Sequence, residues 1–326
     1  MPHQSPAMTS AARSRHEPID ARLYGAVVIL GGRGLLAQAL TNALRDNGIS
    51  CDALGRDECD ITRVDQLKKL FRERRPTLIF NCAAYTAVDA CEHHVDRANH
   101  VNGDAAGSLA SLCRRYKTHL VHFSTDFVFD GTLDRPYRSD DPTHPLSAYG
   151  RSKLLGEMQI QQVGPPSWMV VRTSWLFGRG GTCFPAKILE LARANVPLRI
   201  VNDQIGSPTY VVDLAAAVLS LVNQRARGVW HLSNAGATNW FEFAKAVLDE
   251  CGVDRRVVPI STQEWLMMRP GQAKRPMYSS MDTTYFSRAT GRRMRDWQDA
   301  LKDYGAELRE AEQDEEDDVV RQTQQL

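Results

Sequence analysis

The 326-residue sequence predicts an α/β protein, a doubly wound parallel sheet of the Rossmann type with a smaller C-terminal substrate domain over its carboxyl edge. Three observations predict it. From Ala26 onward short apolar runs alternate with longer amphipathic ones, the pattern of strands buried on both faces beneath covering helices. The first apolar run leads at once into Gly31-Gly32-Arg33-Gly34, a glycine-rich passage from strand to helix. Beyond Ala194 the order loosens into helical segments separated by turn-rich pieces, which suits a second, smaller unit.

Strands are expected over 27–30, 77–80, 119–123 and 168–172, each a short apolar run too brief for a helix. Helices are expected over 36–44, 105–116 and 184–194, the last ended near Pro197, and then over 213–223, 240–251 and 294–308. The domain bounds that follow are a flexible N-terminal tail (1–24), a dinucleotide-binding domain (25–172), a mainly substrate-binding domain (173–308) with segments returning to the first, and an acidic disordered tail (309–326).

Composition narrows the function classes. Forty Lys and Arg against 39 Asp and Glu leave a net charge of +1, without the basic excess of a nucleic-acid binder. No apolar run approaches the roughly 18 residues of a membrane span. The seven cysteines are scattered with no C-x-x-C pair, and the N-terminal stretch lacks the apolar core of a signal peptide. A reducing, cytoplasmic address is expected.

The glycine turn points to a dinucleotide. Gly31 and Gly34 allow the tight turn, and Leu35 and Leu36 open the helix whose N-terminus would take a pyrophosphate; Ala37 replaces the usual third glycine. Arg56, just past the second strand, and Arg33 favour a 2′-phosphate, hence NADPH, with Asp52 or Asp57 able to serve NADH instead. Asp60 and Ile61 lie where an adenine would rest. Asn81-Cys82-Ala83-Ala84 ends a strand with small residues that leave room for a cofactor.

The chemistry is expected further along. Ser124-Thr125-Asp126 closes a strand, and Tyr149 and Lys153 share one face of a helix at i, i+4. That spacing would let the Lys153 ammonium favour the phenolate and lower the Tyr149 pKa toward working pH. Tyr149 would then protonate a carbonyl oxygen as hydride reaches its carbon, with Thr125 donating to the same oxygen and Lys153 able to hold the cofactor ribose. Glu157 is read as a helix-surface partner at least as readily as a site residue. His122 and His231 are read as structural.

Longer motifs carry a family resemblance. Asn81-Cys82-Ala83-Ala84-Tyr85-Thr86-Ala87-Val88-Asp89, Ser124 through Gly131, Tyr149-Gly150-Arg151-Ser152-Lys153, Arg172-Thr173-Ser174-Trp175, Asp203-Gln204-Ile205-Gly206-Ser207-Pro208-Thr209 and Arg275-Pro276 leading to Asp282 resemble the dTDP-4-dehydrorhamnose reductases, extended short-chain dehydrogenases/reductases, over 27–304. The resemblance implies reduction of the 4-keto group of a dTDP-6-deoxy-L-lyxo-hexulose by NADPH or NADH, giving dTDP-L-rhamnose. It also implies that Tyr149 is the proton donor and Lys153 its helper, that Thr125 and Asp126 touch the sugar, and that Trp175 faces it. Ala83, Ala84 and Tyr85 join the cofactor set, and Asn102 is implied as a backbone or water anchor. Some members form magnesium-linked dimers; the acidic positions concerned are not matched here, so no metal is assigned and a homodimer stays open. Cys82, Cys183 and the segment 267–272 depart from the family pattern. Two alternatives stand beside this reading: a non-catalytic NADP-binding regulatory subunit like the methionine adenosyltransferase β subunit, and a reductase of a related dTDP-keto sugar.

Overall fold

In the computed structural model, which describes residues 24–323, the first half of the chain alternates strand and helix as its apolar pattern requires. β1 (Val27–Leu30) is buried along its whole length and leads into α1 (Leu35–Asp46); β2 (Cys51–Leu54), α2 (Val64–Arg74) and β3 (Leu78–Asn81) follow. Two short helices, α3 (Val88–His93) and α4 (Val95–Ala98), pass through a π-helical turn (Asn99–Asp104) into α5 (Ala105–Tyr116). β4 (His119–Thr125), a 3-10 turn (Asp126–Val128), α6 (Ala148–Val163) and β5 (Trp168–Thr173) complete this half.

The second half is less regular. β6 (Leu176–Phe177), α7 (Phe184–Arg193), β7 (Leu198–Val201), β8 (Ile205–Gly206) and β9 (Thr209–Tyr210) precede α8 (Val211–Asn223). Then come β10 (Gly228–His231), β11 (Thr238–Asn239), α9 (Trp240–Glu250), β12 (Val257–Ile260), α10 (Thr262–Met268), α11 (Thr284–Thr290) and α12 (Trp297–Thr323).

The main sheet runs β10-β5-β4-β3-β1-β2, with every pairing parallel. β10 belongs to the second half of the chain yet closes the far edge of this sheet, while α8 packs on α1. Strand order reverses between β1 and β3, and such a switch point opens a crevice at the carboxyl ends of the strands. One apolar layer joins β1, β3, α1 and α8 through Ile29, Phe80, Leu40 and Leu214; the opposite layer joins Val28, Ile79, Phe71 and Leu109. Each such side chain contributes roughly 1.5–3 kcal/mol on burial. A third core, around Phe177, Phe243, Trp297 and Tyr304, holds α7, α9 and α12 together beyond the sheet.

Two boundary expectations change. Residues 1–23 of the expected tail and 324–326 lie outside the described residues, but Tyr24 is buried and its hydroxyl donates to Asn223 Oδ1 at 3.1 Å, which ties the chain to α8. The acidic stretch expected as a disordered tail instead continues α12 as helix to Thr323. Its Glu, Ala, Gln and Arg residues are good helix formers, and no Gly or Pro interrupts 306–323. Among the described residues no helix is long and apolar enough to cross a membrane.

Candidate active site

The carboxyl ends of β1, β3, β4 and β5 open into one cavity of about 880 Å³. Gly31, Gly34, Leu35, Leu36, Arg56, Asp60, Ile61, Ala83, Ala84 and Tyr85 line one part of it, and Thr125, Asp126, Tyr149, Lys153 and Trp175 the other. Residues far apart in the chain are thus brought to a single concave surface at the switch point, where open α/β sheets place ligands.

The cofactor end is built from backbone. Gly31 has φ +78°, and a Cβ there would stand 2.7 Å from the amide nitrogen of Ala83, so any side chain would fill the cradle between the two strand ends. Gly34 caps α1, whose first turn has no acidic residue, leaving its amide groups and the positive end of the helix for an anion. These features fit a dinucleotide pyrophosphate. Both expected cations are tied to acidic neighbours: Arg56 to Asp60 at 3.0 Å and Arg33 to Asp57 at 2.7 Å. Both arginines are mainly exposed, and surface pairs of this kind contribute about 0–1 kcal/mol, so a 2′-phosphate can displace either carboxylate. Arg56→Ala is therefore expected to weaken NADPH about tenfold and NADH little, measured as Kd by fluorescence titration; equal weakening would remove Arg56 from 2′-phosphate recognition.

At the chemical end, Ser147 caps α6 by accepting from the Gly150 amide at 3.1 Å, which starts the helix one residue before Tyr149. Asn102 holds the segment opposite. Its Oδ1 accepts from the Tyr85 amide at 2.8 Å, and its Nδ2 donates to the Tyr85 carbonyl at 3.0 Å and to Ser152 Oγ at 2.9 Å. The π-helical turn that carries Asn102 thus joins the cofactor loop to α6. The Tyr149 ring meets Phe127 edge-on, with centroids 5.8 Å apart.

The electrostatics of the pair differ from expectation. Burial pushes the Tyr149 phenol up; the Thr125 hydroxyl opposes this, while Asp126 and Cys91 add to it. The ammonium of Lys153 stands 3.3 Å from His122 Nε2 and is itself lowered to about 8 by burial, against the upward pull of Glu157 and Cys82. Desolvation, which disfavours every charged form, outweighs the i, i+4 attraction that was expected to favour the phenolate. The phenol is protonated at working pH, the form a proton donor needs.

Asp126 is perturbed as well. Its Oδ2 accepts from Ser279 at 2.6 Å and its Oδ1 from Thr125 at 3.0 Å, yet complete burial raises its pKa to about 6. Below pH ~4 the carboxyl is neutral folded or unfolded and costs nothing. As pH rises to about 6 the unfolded state ionises first and stability falls; above that the penalty levels at roughly 3 kcal/mol. Asp126→Asn is expected to raise Tm at pH ~7.5, with the gain vanishing toward pH ~4 in thermal melts. A gain equal at both pH values would assign the effect to packing.

Glu157 is not a surface residue. It is fully buried and paired with Arg172 of β5 at 2.7 Å, and it also accepts from Ser124 Oγ beside the site. Arg172 reaches His231 Nε2 at 3.4 Å, whose Nδ1 bonds the Tyr137 carbonyl at 3.0 Å. This buried chain ties α6, β4, β5 and β10 together behind the cavity wall.

The outer wall is aromatic. Trp175 has φ +47° and stacks on Trp240 with ring centroids 3.4 Å apart and planes 10° apart, and both line the cavity. Gly206 of the Asp203–Thr209 motif lies against Trp175, where a Cβ would come within 2.6 Å of the indole. Asp203 accepts from the Thr262 hydroxyl at 2.6 Å, so that motif chiefly frames the second lobe. Arg275, another cavity residue, pairs with Asp89 of α3 at 2.9 Å. Trp240 was not singled out from sequence, and Thr173 and Arg275 were named only within family motifs and given no site role, because no local spacing connects them to Tyr149.

The profile of the RmlD substrate binding domain family matches residues 25–310. The chain is similar to the spore coat polysaccharide biosynthesis protein SpsK of Bacillus subtilis (strain 168), 38% identical over 278 residues, or 85% of this chain and 96% of that protein. It is also similar to dTDP-4-dehydrorhamnose reductase of Streptomyces griseus, 37% identical over 280 residues, or 84% and 91% of the two chains. The crystal structure of dTDP-4-dehydrorhamnose reductase from Bacillus anthracis str. Ames in complex with NADP matches with a TM-score of 0.82 at 33% identity, covering 86% of this chain and 99% of that one.

Proposed function

This chain belongs to the dTDP-4-dehydrorhamnose reductase family, that of the RmlD substrate binding domain, and from that premise we propose that it reduces the 4-keto group of dTDP-6-deoxy-L-lyxo-4-hexulose to give dTDP-L-rhamnose. The observation that carries the proposal is the meeting of Thr125, Tyr149 and Lys153 with the Gly31 cradle in one cavity. When bound along that cradle, NADPH would supply the hydride for the carbonyl carbon. Gly31 and Gly34, with Leu35 and Leu36, would take its pyrophosphate at the α1 N-terminus, Arg56 its 2′-phosphate, and Asp60 and Ile61 its adenine, while Ala83, Ala84 and Tyr85 would flank it.

The remaining steps belong to the side chains. Tyr149, kept protonated by burial, gives its phenolic proton to the keto oxygen as negative charge develops there, so carbonyl, hydride and proton become the alcohol. Thr125, turning its hydroxyl hydrogen away from Asp126 Oδ1, donates a hydrogen bond to the same oxygen and limits its charge before proton transfer. Lys153 presents its ammonium to the ribose and stabilises the phenolate left behind. Asp126, ionised above pH about 6, accepts from a sugar hydroxyl, and Trp175 offers the ring an apolar plane.

The test is the loss of NADPH absorbance when purified protein meets the dTDP-keto sugar, with NADH alongside. Rapid oxidation supports the proposal. Absence of oxidation with NADPH still tightly bound would move the function to a regulatory NADP-binding subunit or to another dTDP-keto sugar.

A further inference from the structure

We propose that His122, held by Asn81, is a positioning residue for Lys153: a buried chain in which His122 keeps its proton on Nδ1 and turns Nε2 to the lysine as a permanent acceptor. The inference rests on the function proposed above and deepens its site.

The geometry is set by strand register. Asn81 at the end of β3 stands opposite His122 on β4, and α6 lays Lys153 over them. All three side chains are buried. His122 Nε2 lies 3.3 Å from Lys153 Nζ, and Nδ1 lies 3.0 Å from Asn81 Nδ2, the place that Oδ1 takes when the side-chain amide is turned over.

An ammonium has three donors and no acceptor, so Nε2 can bond it only when unprotonated. A neutral imidazole then carries its proton on Nδ1, and that N–H needs an acceptor. Asn81 supplies one when its amide oxygen faces the ring. The opposite orientation, with Nδ2 toward Nδ1, leaves Oδ1 buried without a partner and forces the ring proton onto Nε2 against the lysine hydrogens. Either orientation leaves one end of the amide unbonded, but only the first avoids two donors face to face. Burial and the lysine charge both hold the ring neutral, its pKa far below the ordinary histidine value.

Lys153 needs such a partner. The titratable groups that face it are His122 from β4, Cys82 just past β3, and Tyr149 and Glu157 from α6. Glu157 is already engaged by Arg172, and burial raises the Cys82 thiol so that it stays neutral. The imidazole is therefore the acceptor that aims the ammonium and offsets part of its desolvation.

Two readouts test this. In the keto-sugar assay, His122→Leu should lower kcat about 10- to 100-fold with KM for the sugar within about twofold. It should also move the basic limb of the kcat–pH profile down by about one pH unit, because the charged lysine has lost its acceptor. His122→Gln, which restores an oxygen near the Nε2 position, should recover most of kcat. Independently of activity, 15N-histidine NMR of the cofactor-free protein should show His122, identified by its absence from His122→Gln, as the Nδ1–H tautomer between pH about 6 and 9. An unshifted His122→Leu profile, or an Nε2–H or doubly protonated ring, overturns the inference. Should His122→Leu fail to fold, the Gln variant and the ring tautomer decide. Should the wild type not oxidise NADPH, the functional reading fails and the tautomer still judges the positioning role.

Discussion

Tyr149→Phe is expected to lower kcat about 10²- to 10⁴-fold while Kd for NADPH stays within about twofold. The substitution removes one oxygen and keeps the ring against Phe127, so α6 and the cavity wall are undisturbed. What disappears is the proton for the keto oxygen. Thr125 cannot replace it, since an aliphatic hydroxyl is a far weaker acid than a phenol. Steady-state kinetics together with a fluorescence titration of NADPH check both halves. A variant of normal turnover would take the proton donor away from Tyr149; a variant that lost NADPH as well would make the phenol a binding group first.

Arg172→Met is expected to cost about 3–5 kcal/mol of stability, the usual consequence of leaving a buried charge without its partner. Glu157 is completely buried, and without the guanidinium its carboxylate keeps the Ser124 hydrogen bond and only the more distant charge of Lys153. In a domain of this size the loss lowers Tm by roughly 10 °C. The double variant Glu157→Leu with Arg172→Met should regain much of that stability, because removing both charges also removes their desolvation cost. Thermal melts of the two variants provide the check. A single variant within about 1 kcal/mol of wild type would mean that water or another group already compensates Glu157.

The α/β alternation, the glycine turn and the i, i+4 placement of Tyr149 and Lys153 were legible in the sequence because each is a local pattern. Strand and helix periods show in adjacent residues, and Gly31 is demanded by a turn of only a few residues. Glu157 was misread for the converse reason. α6 buries Ser152, Lys153 and Glu157 along with Ala148 and Ile160, packed between the sheet and the π-helical turn, so its inward faces carry polar residues and do not stand out as an apolar stripe. A charge one turn from Lys153 on such a helix looks solvated until β5 brings Arg172 beneath it.

By itself, the sequence determined the order of the first strands and helices, the cofactor turn and the three residues of the proposed chemistry, since these depend on spacing along the chain. Only the tertiary structure decided the environment in which they work. Which group faces Lys153, that the Tyr149 phenol is raised by burial, that Trp240 backs Trp175, and that Arg33 and Arg56 already have carboxylate partners all depend on residues distant in sequence. Desolvation and pairing are properties of the assembled surroundings, and a linear pattern carries no measure of either.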